Sequence, residues 1–167
     1  NIGLVPGLLR WDKKRIAERA DLDFVLHLGD YIYEYAQYEY AGYGPVRLHQ
    51  PAHEIVTLAD YRTRYGRYRT DPDLQDAHAA LPWVVVWDDH EVQNNYAAAV
   101  SGKDVSPEDF EHQIAVAYRA FYENMPLDLE ALPTGPDADI TSGFDVGTLA
   151  RFSLLDSRQF RDPEPAD

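Results

Sequence analysis

Residues 23–33 read DFVLHLGDYIY, a short and nearly continuous apolar run that ends in Gly29-Asp30. Such a run suits a strand covered on both faces, as in a sheet flanked by helices. The pattern returns at residues 82–87, PWVVVW, and again runs straight into polar groups, Asp88, Asp89 and His90. Upstream, residues 11–20 (WDKKRIAERA) have helical spacing. Leu8, Leu9, Ile16 and Ala17 can share one face there, while Lys13, Lys14, Arg15 and Glu18 are expected to face water. Pro6 and Gly7 mark the loop before it. Helix followed by buried strand is the grammar of an α/β fold.

Outward from the two strands, residues 31–50 form a Tyr-, Gly- and Pro-bearing stretch with tyrosines at 31, 33, 35, 38, 40 and 43. A long loop of this kind serves as a lid, a pocket wall or a partner surface. Its aromatics either pack simply, hydroxyls at the rim, or wall the space over a bound group. Residues 58–68 (LADYRTRYGRY) read as a helix interrupted or ended near Gly66. Asp71 as a cap and Pro72 at the first helical position begin another, through Ala80. Ser106-Pro107-Glu108-Asp109 opens a helix to about Asn124, with Phe110, Ile114, Ala117, Tyr118 and Phe121 at core spacing. The acids Glu108, Asp109 and Glu111 read as its solvated start. After Pro126, Pro133 and Pro136, residues 144–156 read as two short strands turning near Gly147-Thr148. The tail, DPEPAD, offers no core-forming residue.

Composition narrows the function. Fifteen Lys and Arg against 29 Asp and Glu give a formal charge of −14 over 167 residues. Such a chain is a poor clamp for a polyanion, so a nucleic-acid scaffold role is set aside. Its carboxylates suit cations instead. No run approaches the roughly 18–20 apolar residues that span a bilayer. The absence of Cys excludes disulfides, zinc-thiolate sites and thiol nucleophiles within this stretch. The chain starts at Asn1 with no secretory leader pattern, as expected of a processed product or a piece of something longer.

The chemistry gathers where the strands end. Ligands of open α/β sheets bind beyond the carboxyl ends of the strands. Asp30 stands at one such end, after a glycine that permits close backbone approach; Asp89 and His90 stand at the other. Together they make an oxygen-and-nitrogen donor set for hard or borderline cations. Tyr33, three residues beyond Asp30, can reach the same ion if the turn folds back. A phenol ionises near neutrality only beside a strong Lewis acid, which makes Fe(III) its natural match. The alternative for Asp30 is a plain turn or cap. Asp88 reads as a residue that orients His90 or a backbone amide. His27 reads as a hydrogen-bonded core residue, and His78 and His112 as surface or boundary residues.

GDYIY at 29–33 has the Gly-Asp-x-x-Tyr spacing of tyrosinate-bearing metallophosphoesterases, and WDDHE at 87–91 stands where that superfamily carries Gly-Asn-His-Glu/Asp. The longer strings DFVLHLGDYIYEY, LPWVVVWDDHEVQNNY and ARFSLLDSRQFRDPEP resemble the PhoD family of alkaline phosphatases and phosphodiesterases. The resemblance implies an α/β fold, part of a metallophosphoesterase sandwich of mixed β-sheets flanked by helices. It implies that Asp30 bridges two cations, that Tyr33 ligates Fe(III) and that Asp89 ligates a divalent ion, Ca²⁺. His90 would then lie over the phosphate, stabilising its charge or protonating the leaving group. Arg158, Arg161 and Asn94 are candidate substrate-binding residues; either arginine could hold phosphate in a bidentate contact or serve a structural ion pair.

The activity implied is metal-dependent hydrolysis of phosphate esters, in which one cation lowers the pKa of a bound water that attacks phosphorus. A diesterase or phospholipase-type activity of the same fold, and a non-catalytic metal-binding fragment, are the alternatives. The substrate in either active case is a small phosphate mono- or diester. The family also carries a Ser-Cys segment before this region, whose Cys binds iron, and a Gly-Asp-x-His segment after it. Neither is in residues 1–167, so the chain is expected to be the central part of one such domain, inactive by itself. The resemblance further implies export, to the periplasm, the cell wall or the medium.

Overall fold

The computed structural model describes residues 10–39 and 47–163. In chain order its elements are α1 (Arg10–Glu18), β1 (Val25–Leu28), α2 (Leu58–Arg69), α3 (Pro72–Ala80), β2 (Trp83–Val86), α4 (Pro107–Asn124), a 3-10 turn (Leu129–Ala131), β3 (Ser142–Val146) and β4 (Ala150–Leu154). β1 and β2 pair in parallel, Val25 opposite Trp83 and Leu28 opposite Val86. Parallel neighbours need a long crossover, and α2 with α3 supplies it. β3 and β4 form an antiparallel hairpin, Phe144 opposite Phe152. Phe24, just before β1, meets both of those rings edge-on.

Local signals fix most element boundaries. Asp71 accepts from the backbone N–H groups of Asp73 and Leu74 and caps α3. Ser106 accepts from Asp109 N–H and caps α4. α4 then buries Phe110, Ile114, Ala117, Tyr118 and Phe121 in the core, as their spacing predicts. Trp87, just past β2, is fully buried with its ring parallel to Tyr118 at 4.0 Å between centroids.

Four expectations are corrected. Lys13 does not face water; it is buried at the contact of α1 with α3, Nζ 2.8 Å from the Asp71 carboxylate. Arg47 reaches the same carboxylate. Burial opposes the ionised acid, but Lys13 and Arg47 outweigh it and hold Asp71 down at about 2. Gly66 does not break α2, which continues to Arg69, because capping at both ends and packing of Tyr61 and Tyr65 outweigh one glycine's weak propensity. β1 is not covered on both faces along its length: Leu28 is 55% exposed. Asp88 turns to Arg158 rather than to His90. The readings of Leu8, Leu9, Tyr40, Tyr43 and most of the tail lie outside the described residues.

His27 is a hydrogen-bonded core residue, as the sequence predicts, accepting from Gly29 N–H and stacked near Trp83, whose other ring neighbours include His78. Burial pushes His27 down to about 3, with His78 adding to it, and pushes His78 down to about 4. A base depressed from its ordinary 6.5 binds its proton more readily in the unfolded chain, so the stability it allows is full above pH 6.5 and is lost as pH falls. Urea titrations across that window are expected to give His27→Leu a shallower pH slope, by about one proton or 1.4 kcal/mol per pH unit. An unchanged slope would show that His27 takes no part in the acid limb.

Candidate active site

The parallel register sets two strand ends at one level, and Gly29-Asp30 leaves the sheet beside Trp87-Asp88-Asp89. The approach is close enough to demand glycine. Gly29 has φ +101°, and a Cβ there would meet the Cβ and N of Asp88 at 2.4 Å. Asp30 itself lies in the left-handed region at φ 58°. A non-glycine there costs about 1–2 kcal/mol, so the surroundings must hold it. Glu91 does so from the other strand end. Its buried carboxylate accepts from the N–H groups of Asp30 (2.9 Å), Asp88 (2.8 Å) and Tyr31. Burial pushes Glu91 up to about 7, against the pull of those three donors.

Asp30, Asp89 and His90 each bring a ligand atom to within 4.8 Å of the others, and together they could hold a metal ion. Asp30 Oδ1 is buried and has no hydrogen-bond partner, which is the state of an oxygen shaped for a cation. Its other oxygen accepts from the Tyr33 hydroxyl at 3.1 Å, so the turn does fold back. Burial raises the Asp30 carboxyl above the ordinary range, Asp89 and Asp88 add to the rise, and His90 and Tyr33 work against it. A carboxylate crowded by carboxylates gains from a cation in their midst.

His90 packs with its ring centroid 4.2 Å from that of Tyr33 and 5.4 Å from that of Tyr35. Its Nδ1 lies 2.8 Å from Oε2 of Glu34, which is fully buried. Burial works against the imidazolium, yet the bond and charge of Glu34, with Asp89 and Asp30, raise the His90 pKa above its usual value. Asp89 accepts from Asn95 N–H at 2.6 Å.

Arg158 is the arginine that joins the cluster. Asp156, bonded to the Trp87 indole at 3.0 Å, also accepts from Arg158 N–H and so lays the chain after β4 across the end of β2. Arg158 Nε donates to Asp88 and Nη2 sits 3.3 Å from Asp89, while Nη1 is buried with no partner. Thus Asp88 answers Arg158 and Ser157 Oγ instead of orienting His90. Arg161 is exposed. Asn94 is half-buried and enters through its backbone, whose N–H donates to Glu34 Oε1 at 2.7 Å.

Three buried charged residues went unassigned in the sequence: Glu34, Glu91 and Arg64. The guanidinium of Arg64 donates to the carbonyls of Tyr33, Tyr35, Gln50, Pro51 and His53, and so ties down the loop that carries Tyr33 and Glu34. A signal existed. Arg64 sits three residues from Tyr61 and one from Tyr65, on the apolar face of α2, and Glu34 is an acid inside an aromatic run. Among the described residues no helix is long and apolar enough to cross a membrane.

The chain matches the sequence profile of the PhoD-like phosphatases over residues 12–167. It is 54% identical over 144 residues to alkaline phosphatase D of Bacillus subtilis (strain 168), a match that covers 86% of this chain and 24% of that protein. A solved structure of PhoD superposes with a TM-score of 0.86 at 52% identity, covering 90% of this chain and 29% of the other. The chain thus spans about a quarter of the length of the curated relative it matches.

Proposed function

Because the chain belongs to the PhoD-like phosphatase family, we propose that it forms part of a catalytic domain that hydrolyses phosphate esters with bound cations. One observation carries the reading: an unpartnered, buried carboxylate oxygen of Asp30 sits among Asp89, His90 and the Tyr33 hydroxyl. Asp30, Asp89 and Tyr33 would hold the cations, with Asp30 as the central ligand. Tyr33 suits Fe(III), and Asp89 suits a divalent ion such as Ca²⁺. When bound, such ions offset charge on the phosphoryl oxygens and lower the pKa of water.

The chain's own residues do the rest. His90, held through Nδ1 by the buried Glu34, would offer a proton toward the oxygen of the departing alcohol and positive charge toward the phosphoryl group. Arg158, fixed by Asp88 and Asp89, presents its unpartnered Nη1 as a donor for a phosphate oxygen. Tyr33 and Tyr35 flank His90 with apolar rings that limit water. The substrate is then a small phosphate mono- or diester.

The test is hydrolysis by the full-length protein before and after chelation. Activity is expected to vanish with the metal and return on adding iron and calcium; hydrolysis indifferent to chelator would reject the reading. Tyr33→Phe is expected to abolish the visible absorption of a tyrosinate–iron pair. A spectrum that survives the substitution would remove Tyr33 from the ligand set.

A further inference from the structure

Glu34 is the residue on which two separate loops converge. It has no exposed surface, and each of its carboxylate oxygens is used: Oε2 on His90 Nδ1 at 2.8 Å and Oε1 on the N–H of Asn94 at 2.7 Å. Its backbone carbonyl accepts from Ile55 N–H at 3.0 Å, and the flanking carbonyls of Tyr33 and Tyr35 are held by Arg64. The acid is therefore fixed from below before it meets the imidazole. Burying a carboxylate is expensive unless it is hydrogen-bonded on both oxygens, and this one is.

Nδ1 of His90 and Oε2 of Glu34 lie 2.8 Å apart, the separation of a ring N–H donating to a carboxylate oxygen. We propose that Glu34 is the positioning residue of His90, holding the imidazole by Nδ1 so that Nε2 is the nitrogen that meets the phosphoryl group and the leaving oxygen. The assignment rests on the phosphate-ester reading for its purpose, but the dyad itself is a matter of which nitrogen carries the hydrogen. Glu34→Gln is the informative change because it keeps the shape. The amide it introduces can keep the Asn94 bond only by giving its carbonyl to that N–H, which turns its NH₂ toward Nδ1. The ring must then accept there, so Nδ1 gives up its hydrogen.

The first readout is ¹⁵N imidazole NMR of the full-length protein labelled at histidine, with the His90 signals identified by their loss in His90→Asn. Wild type is expected to show a slowly exchanging hydrogen on Nδ1 of His90, and Glu34→Gln to lack it. The second readout is steady-state hydrolysis with metals restored. There, kcat is expected to fall about 10- to 100-fold in Glu34→Gln. KM should stay within about threefold, since orientation of His90 matters in the transition state more than in binding. His90→Asn added to Glu34→Gln is expected to cost no more than His90→Asn alone. A wild-type His90 without hydrogen on Nδ1 overturns the proposal whether or not the variant folds, as does a hydrogen retained on Nδ1 in Glu34→Gln. If no phosphate ester is hydrolysed at all, the functional reading fails while the NMR arm still decides the dyad.

Discussion

Asp30→Asn in the full-length protein is expected to lose most of its bound metal and at least about 1,000-fold in kcat/KM, equivalent to roughly 4 kcal/mol of transition-state stabilisation. The substitution changes almost nothing in size, so the effect isolates charge. Asp30 is held in a left-handed backbone by Glu91, which accepts its N–H, and Asn is among the residues that tolerate that backbone. The fold should therefore survive. What goes is the negative oxygen that has no partner in the protein and sits in the cluster with Asp89 and His90. An amide supplies one weaker oxygen and a pair of donors, and cannot be shared between two cations. Metal analysis of the purified variant beside its hydrolysis rate checks both halves. Retention of full metal and full rate would end the case for Asp30 as the central ligand.

Arg64→Met is expected to lower stability by about 3 kcal/mol or more, among the largest effects a single substitution produces here. The guanidinium is fully buried and donates to five carbonyls, two of them in the segment that carries Tyr33 and Glu34. Met fills similar space but leaves those carbonyls without donors, and buried acceptors without donors are costly. Lys should rescue little, since its compact ammonium cannot span the same fork. Arg67→Ala, one turn along and bonded at the surface to Leu48 O, provides the control and should change stability by about 0.5 kcal/mol or less. Urea unfolding of the three variants measures all of this. Equal effects for positions 64 and 67 would mean that the carbonyl cage is held by other contacts. The loss should extend to the site, because the loop freed in Arg64→Met is the one that aims Tyr33 at Asp30.

What was legible in the sequence was legible for local reasons. The caps Asp71 and Ser106, the prolines after them and the core spacing along residues 107–124 act within a turn or two of chain. The glycine at 29 announced a close approach, and the acids after two apolar runs announced a cluster of carboxylates, since parallel strands deliver their ends to one edge. Misreadings came where a local rule met a distant partner. Lys13 lies on what a helical wheel makes a wet face, but Asp71 lies 58 residues away in sequence and 2.8 Å away in space. Gly66 looked like a stop until tertiary packing carried α2 past it.

By itself, then, the sequence determined which elements form and which side chains reach the edge of the sheet, because helix periodicity, capping and strand alternation are set by near neighbours. The tertiary structure alone decided which buried charges answer one another: Glu34 to His90, Glu91 to the N–H groups of both strand ends, Arg158 to Asp88 and Asp89, and Arg64 to the loop beneath. A buried charge must be satisfied by whatever the fold brings to it, and no local pattern states what that will be.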